Sequence, residues 1–416
     1  MRNIFITVFA LISISLQGQL DSYDIATYVT PDFSFQSLEL FPNLRYANTL
    51  SSQTSFDLDG GFFYRARSLS RQRISEVSVF QSLDFRRSNS IDTATSFFSG
   101  SSVLWDNQIC YKERRFFTLD LSGSSLIIRQ RNNDDLNFFG SGTVDLRPHW
   151  GMGRVEFVTD AWHAKAMLKA LRDKKLLTVE PSLEQIEALA QAVTRIKNTR
   201  VIDFRYDRIY ELEQLASHLG ESGLVDGDGF TFFATLNDAW LFEGFLDRRS
   251  GSQWRIGPTF NLDHARTSQA LIDIPGFSFL DSAWVGTAGI ETIYEKYIAK
   301  GDWQLDLRAS FIYGRSTRWT DNFDPDKHGF YNLDLGADLY YLLSSRTFVQ
   351  FSFYNDFFDR SDQRFDNFTR FDVGATHFVA PRLSLNTSVR LSISKSENQD
   401  ARTFTGFDLG LRYIII

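Results

Sequence analysis

The sequence predicts an all-β transmembrane antiparallel β-barrel of about 14 strands, within roughly 12 to 16, carrying a small α-helical insertion. Three observations predict it. Apolar residues recur at every second position along most of the chain, the links between these runs alternate between tight turns and longer polar stretches, and one segment, 158–221, switches to helical spacing.

Composition removes other classes. The chain has 416 residues, 15% of them aromatic, which supplies too much apolar surface for a disordered protein. Cys110 is the single cysteine, so no disulfide scaffold is possible within the chain. The net charge of -7 offers no basic surface for nucleic acid. Met1-Arg2-Asn3 followed by the apolar run Ile4 to Leu16 reads as a cleaved secretory signal over residues 1–18, with the cut after Gly18. Beyond residue 20 no run approaches the roughly 20 apolar residues of a membrane helix. A membrane location would therefore require a closed barrel, in which every backbone polar group is paired between strands.

Strands are expected near 33–45, 54–66, 73–86, 94–105, 115–129 and 137–147, and again near 253–263, 284–297, 302–314, 331–342, 347–358, 368–378, 383–394 and 403–414. The alternation is clearest in the second set. Leu333, Leu335, Ala337 and Leu339 interleave with Asp334, Gly336 and Asp338, and Trp303, Leu305, Leu307 and Phe311 interleave with Gln304, Asp306, Arg308 and Ser310. Trp303 to Tyr313 covers about 33 Å at roughly 3.3 Å per residue, and a tilt near 45° reduces this to about 23 Å, close to the ~25 Å apolar band of an outer-membrane barrel. Strands of a soluble sandwich are usually nearer five or six residues. Trp254, Trp284, Trp303, Tyr313, Tyr341 and Tyr413 fall at strand ends, where they are expected to form two interfacial aromatic girdles.

Ala380-Pro381-Arg382, Leu343 to Arg346 and Ala299 to Asp302 read as tight turns. Lys395 to Arg402, Asp359 to Asp366, Ser316 to Gly329 and His264 to Ala283 read as longer polar loops. Short periplasmic turns facing long external loops is the outer-membrane pattern. It puts the helical segment in the periplasm. That segment shows three amphipathic stretches: Ala161 to Leu171; Leu183 to Val193, opened by Pro181 and the capping-box pair Ser182 and Gln185; and Ile209 to Leu219, ending at Gly220 or Gly223. Residues 230–252, rich in Phe and Trp, either cover these helices or lead back into the barrel. The expected organisation is a signal peptide over 1–18, N-terminal barrel strands over 19–157, a helical insertion and linker over 158–252, and C-terminal barrel strands over 253–416, both strand sets forming one barrel.

These features together resemble a Gram-negative outer-membrane β-barrel. Gly151-Met152-Gly153-Arg154-Val155-Glu156, with Asp160-Ala161 and the later Arg200 to Arg205, is similar to porin-like barrels of Bacteroidota that carry a helical periplasmic insertion. The chain departs from the usual aromatic final residue, since Tyr413 is followed by three isoleucines.

Enzymatic motifs are absent from the sequence. The six histidines are scattered without HExxH spacing, no GxSxG elbow occurs, and Asp226-Gly227-Asp228-Gly229 lacks the acidic twelfth residue of a calcium loop, where Asn237 stands. No catalytic residue, metal site or cofactor is expected. Function is instead sought in the inward-facing charges expected by alternation: Asp57, Asp59, Asp306, Arg308, Asp334, Asp338, Asp372, Arg390, Asp408 and Arg412. Such charges either bias passage through an open lumen or pair across it and close it. The expectation is a porin-like channel or transporter for small solutes, bounded by outer-membrane lipid. The alternative is a non-conducting barrel that anchors a periplasmic lobe for an envelope partner, with Lys165, Lys169, Arg172, Lys174 and Lys175 as its basic face and Glu180, Glu184 and Glu187 as an acidic one. An outer-membrane enzyme is a third, minor reading.

Overall fold

Strand pairing accounts for most of the molecule. The structure, a computed structural model, describes residues 19–413 except 41–42, 49–53, 90–92, 113, 133–134, 200–203, 227–228, 243–246, 271–277, 321–325, 345, 362–365, 381–382 and 397–401. The proposed signal segment 1–18 lies outside the described residues. Strands β1 (Phe33–Leu40) and β2 (Asn43–Asn48) share one register against β3 (Thr54–Leu69), with Leu40 opposite Phe62 and Asn43 opposite Asp59. They are two segments of one strand, so the fifteen segments make fourteen strands. The count matches the one the alternation predicts.

The chain continues through β4 (Arg73–Asn89), β5 (Thr93–Lys112), β6 (Arg115–Asn132) and β7 (Asp135–Phe157), then β8 (Arg249–Ala270), β9 (Ser278–Lys300), β10 (Trp303–Thr320) and β11 (Asp326–Ser344). It ends with β12 (Thr347–Arg360), β13 (Asp366–Ala380), β14 (Leu383–Ser396) and β15 (Arg402–Tyr413). Each strand pairs antiparallel with its sequence neighbour and no crossover occurs, which is the order of an up-and-down barrel. Both strand sets belong to one sheet, joined by the β7–β8 ladder.

The strands are longer than expected. β7 and β9 each have 23 residues, and the polar stretches Ser316 to Gly329 and His264 to Ala283 are largely continuations of the β10–β11 and β8–β9 ladders rather than loops. Alternation marks only where one face changes from lipid-like to polar surroundings; a ladder continues past that point as long as both backbones exchange hydrogen bonds.

Helices gather at the short-turn end. Phe157 pairs with Arg249, and the Val158 N–H donates to the Arg248 carbonyl at 2.9 Å, so the helical lobe replaces the turn of the β7–β8 hairpin. Gly153 adopts φ 105° in this region, and a Cβ there would lie 2.1 Å from the Ser252 carbonyl oxygen; only glycine permits that approach. After a short helical turn α1 (Gln19–Ser22) at the N-terminus, the lobe comprises α2 (Thr159–Asp173), α3 (Leu183–Lys197), α4 (Phe204–Glu221) and α5 (Phe230–Phe242). Ser182 and Gln185 form the predicted capping box of α3, and Gly223 follows α4 with φ 67°. The fourth helix, α5, occupies part of the stretch whose role the sequence leaves open.

The helices converge on a fully buried cluster including Met167, Leu168, Leu171, Ile186, Leu189, Leu215, Leu219 and Leu236. Each such side chain contributes about 1.5–3 kcal/mol on burial. The same cluster takes in Ala299 and Leu342 from β9 and β11, with Phe348 of β12 packed against it, so lobe and barrel end share one core.

Candidate functional site

Alternation gives the wall two unlike faces. Phe260, Ile290, Phe311, Phe351, Val373 and Val389 are each more than 40% exposed on strands, a density of bare apolar side chains that water does not tolerate but lipid does. Their neighbours Asn261, Glu291, Ser310, Ser352, Asp372 and Arg390 lie on the opposite face and are hydrogen-bonded to one another or to residues of adjacent strands. No described helix is long and apolar enough to cross a membrane.

Two cavities lie along the polar face. One of about 570 Å³ is bounded by β8 to β13 and lined by Asp306, Arg308, Asp334, Asp338, Tyr354 and Asp372; another of about 370 Å³ is bounded by β3 to β9 and lined by Arg65, Glu76, Asp106, Asp120, Arg255 and Glu295. Arg249 and Tyr297 line both. Arg249 Nη1 donates to the Tyr297 hydroxyl at 3.3 Å, and its guanidinium stands over the Tyr297 and Phe157 rings at 5.2 and 5.6 Å. Arg67 reaches the Phe157 ring from β3 at 3.9 Å, so strands four apart in sequence order meet here across the inner face. These four residues make a layer directly above the lobe.

The inner charges are handled in two ways. Asp372 accepts from Arg390 at 2.8 Å and also pairs with Arg370, which neutralises it. Asp334 accepts instead from Ser310, Tyr354 and Asn332 at 3.1 to 3.2 Å, and Asp338 from Gln350 and Ser352; Asp306 accepts from Gln304. Neutral donors fix these carboxylates without cancelling their charge, so the first cavity retains fields of both signs. In the second, Arg255 holds Asp120 at 3.0 Å and Arg65 holds Glu76 at 2.8 Å. His149 is fully buried in β7 and reaches Glu291 of β9 at 3.2 Å over the intervening β8. Gly257 makes that reach possible: a Cβ there would lie 1.9 Å from the Pro148 carbonyl oxygen.

The structure brings Asp306, Arg308, Asp334, Asp338 and Asp372 around one cavity, with Arg390 bonded to its edge. Asp59 shares its strand face with Arg65 and Arg67, away from that cluster. The side chains of Asp57, Asp408, Arg412 and Tyr413 lie outside the described residues. Of the aromatics, Trp303 stacks on Tyr341 at 4.2 Å near the short-turn end, with Trp254 exposed on the same side of the wall. Trp284 pairs in register with Trp319 toward the long-hairpin end, and Tyr313 pairs with Tyr331. Arg249, Tyr297, Phe157 and Arg67 are not among the inward charges and girdle aromatics that alternation marks in the sequence. Their only linear signal is position, at the points where strands meet turns or the lobe.

Below this layer the lobe is bonded to the barrel rim. Arg248 is fully buried and donates to the Gly301 and Trp303 carbonyls at 2.7 and 2.5 Å, with its guanidinium 5.2 Å from the Trp162 ring centre. Arg346 in the β11–β12 turn pairs with Asp238 of α5. His163 of α2 is buried against Trp240 at 4.8 Å, and burial, reinforced by Lys197, holds its imidazole well below its usual range, hence neutral. Among the five basic residues of α2 and its end, Lys165 and Arg172 turn toward residues 21–23, while Lys169, Lys174 and Lys175 are exposed. A cleft of about 670 Å³ separates α3 from the β3–β4 turn. Among the described residues no group of three His, Cys, Asp or Glu is placed to hold a metal ion.

No protein-family model matches the chain, and no curated protein matches it. Among solved structures it is similar to the ferric citrate transporter FecA in its unliganded form, at 6% identity and a TM-score of 0.41 over 92% of this chain and 57% of that one. The chain thus spans little more than half the length of that transporter. It is also similar to the CymD monoaromatic hydrocarbon channel, at 6% identity and a TM-score of 0.31 over 96% and 93% of the two chains. A third similarity, to the Ralstonia pickettii toluene transporter TbuX, has 7% identity and a TM-score of 0.30 over 92% and 88%.

Proposed function

We propose that this chain is an outer-membrane β-barrel of a Gram-negative bacterium that passes small polar solutes, as a porin-like channel or transporter. The observation that carries the reading is the pair of polar cavities meeting at Arg249 and Tyr297 inside a wall whose outer face is apolar. Solute entering from the long-hairpin end would meet Asp334, Asp338 and Arg308, whose mixed charges can bind groups of both signs without the preference for one sign of ion that a single-sign ring imposes. The short turns, the lobe and the described ends of the chain share one end of the barrel, the periplasmic end by the usual rule that external connections are the longer ones.

Single-channel recording in planar bilayers tests this. The expected result is solute-dependent conductance from the chain, or from a variant in which residues 159–247 are replaced by a short Gly/Ser linker; the Val158–Arg248 hydrogen bond leaves the two ends of that excision side by side. Silence from both would refute a pore. A second reading, a barrel anchoring the lobe for an acidic envelope partner, is favoured by the exposure of Lys169, Lys174 and Lys175. It predicts a partner that co-purifies with the chain and is lost from Lys169→Glu/Lys174→Glu.

A further inference from the structure

The segment before the first strand is built into the lobe. From residue 19 to 30 the chain runs along α2 and α3 with Leu20, Tyr23, Ile25 and Tyr28 buried in the helical core, Leu20 and Tyr28 at 0% and 1% exposure. Polar contacts fix it between those side chains. Lys165 donates to the carbonyls of Asp21 and Tyr23 at 3.2 and 2.9 Å, and Arg172 grips the Asp21 carboxylate at 2.9 and 3.1 Å. The Tyr28 hydroxyl meets Thr194 at 2.9 Å, and Thr194 in turn donates to Asp160. At its far end the Thr30 hydroxyl donates to the Phe157 carbonyl at 2.6 Å, and the chain then enters β1.

These contacts have a mechanical meaning. The lobe joins the wall covalently only at Phe157 and Arg249, which are paired neighbours, so its covalent attachment is a single hinge point on the rim. Everything else that holds it over the inner face is non-covalent: the apolar core it shares with Ala299, Leu342 and Phe348 of the wall, Arg248 to the β9–β10 turn, Arg346 to Asp238, and residues 19–30, which are themselves continuous with the wall at β1. The cleft beside the β3–β4 turn is lined on one side by Thr30 to Asp32 and on another by Glu187 and Gln191, so the strap also borders a gap between lobe and rim.

We infer that residues 19–30 are a latch that holds the helical lobe shut across the lower mouth of the barrel, and that releasing this strap swings the lobe about its β7–β8 hinge and opens the path. The inference rests on the channel reading above. Burial of four apolar side chains makes the latch strong, while the Asp21–Arg172 pair, 30–40% exposed, sits where an ion or partner can reach it.

The test uses the full chain with Tyr28→Ala and, because that change empties a buried site in the lobe core, also the surface change Asp21→Arg, together with the variant lacking residues 159–247. Two readouts are taken: hydrogen exchange of α2 amides, and open probability in planar bilayers. The latch predicts that both point variants keep the wall protected, lose α2 protection at least tenfold, and raise open probability several-fold toward that of the lobe-free variant. Three results overturn it: α2 protection unchanged in both variants, α2 protection lost with open probability at the level of the unmodified chain while the lobe-free variant conducts, or a lobe-free variant no more open than the unmodified chain. Silence from every form, including the lobe-free one, instead removes the channel reading on which the latch depends and overturns the latch with it.

Discussion

Truncating Arg248 to Ala removes the fully buried bond between lobe and barrel. The guanidinium donates to two backbone carbonyls, of Gly301 and Trp303, and lies against Trp162. A hydrogen bond from a charged group is worth about 1.5–3 kcal/mol, and each acceptor left buried without a partner costs about 1–3 kcal/mol. Water entering the vacated space restores part of that loss. A net weakening of about 3 kcal/mol is therefore expected, which at 1.4 kcal/mol per decade is about a hundredfold increase in the population of undocked lobe. Hydrogen exchange of amides in α2 and in the β9–β10 turn reads this directly, and Arg248→Lys should recover part of it because an ammonium can reach one carbonyl but not fork to both. Unchanged exchange at both places in Arg248→Ala would show that the shared apolar core, not this residue, carries the docking.

Two further outcomes follow from buried groups. His163 is neutral in the folded lobe and titrates near 6.5 when unfolded, so the unfolded chain takes up the proton first; lobe stability should be flat above about pH 7 and fall by up to about 1.4 kcal/mol per unit below 6.5. His163→Gln should flatten most of that slope, leaving a smaller share to His218, whose imidazole burial also lowers; an unchanged slope, measured by lobe exchange between pH 7 and 5, would contradict it. Gly257→Val should cut the yield of heat-modifiable folded barrel severely, since its Cβ would fall 1.9 Å from a backbone oxygen of the adjacent strand, and normal yield would show that β7 and β8 can separate there.

The wall was legible because alternation and turn spacing are local. Tyr341 to Leu333 and Trp303 to Phe311 alternate cleanly, and the register pairs Trp303 with Tyr341 and Phe311 with Leu333. Even the weaker N-terminal strands were readable, although β1 and β2 are two segments on one line. Strand ends were not legible, because residues such as Arg315 to Arg318 pair through their backbones whatever their side chains are. The capping box at Ser182 announced α3, whereas α5, apolar on most sides as Phe230 to Phe242, carries no helical stripe to read. The inner layer was invisible for a different reason. Arg67, Phe157, Arg249 and Tyr297 meet across the curvature of the sheet, and no spacing in the chain encodes which strands face one another. Leu20, Tyr23, Ile25 and Tyr28 likewise lack a period, since an irregular strap follows the surface it covers.

Neighbouring positions on β12 give the most direct measurement of which medium each face of the wall meets. In a Cys110→Ser background, a nitroxide attached at Phe351→Cys and, separately, at Ser352→Cys reports collision with oxygen, which concentrates in lipid, and with a water-soluble nickel chelate. The expected result is that the label at 351, an apolar site 46% exposed, collides mainly with oxygen, and that the label at 352, beside Asp338, collides mainly with the chelate. Equal chelate access at both positions, or the reverse order, would contradict a lipid-facing wall around a polar interior.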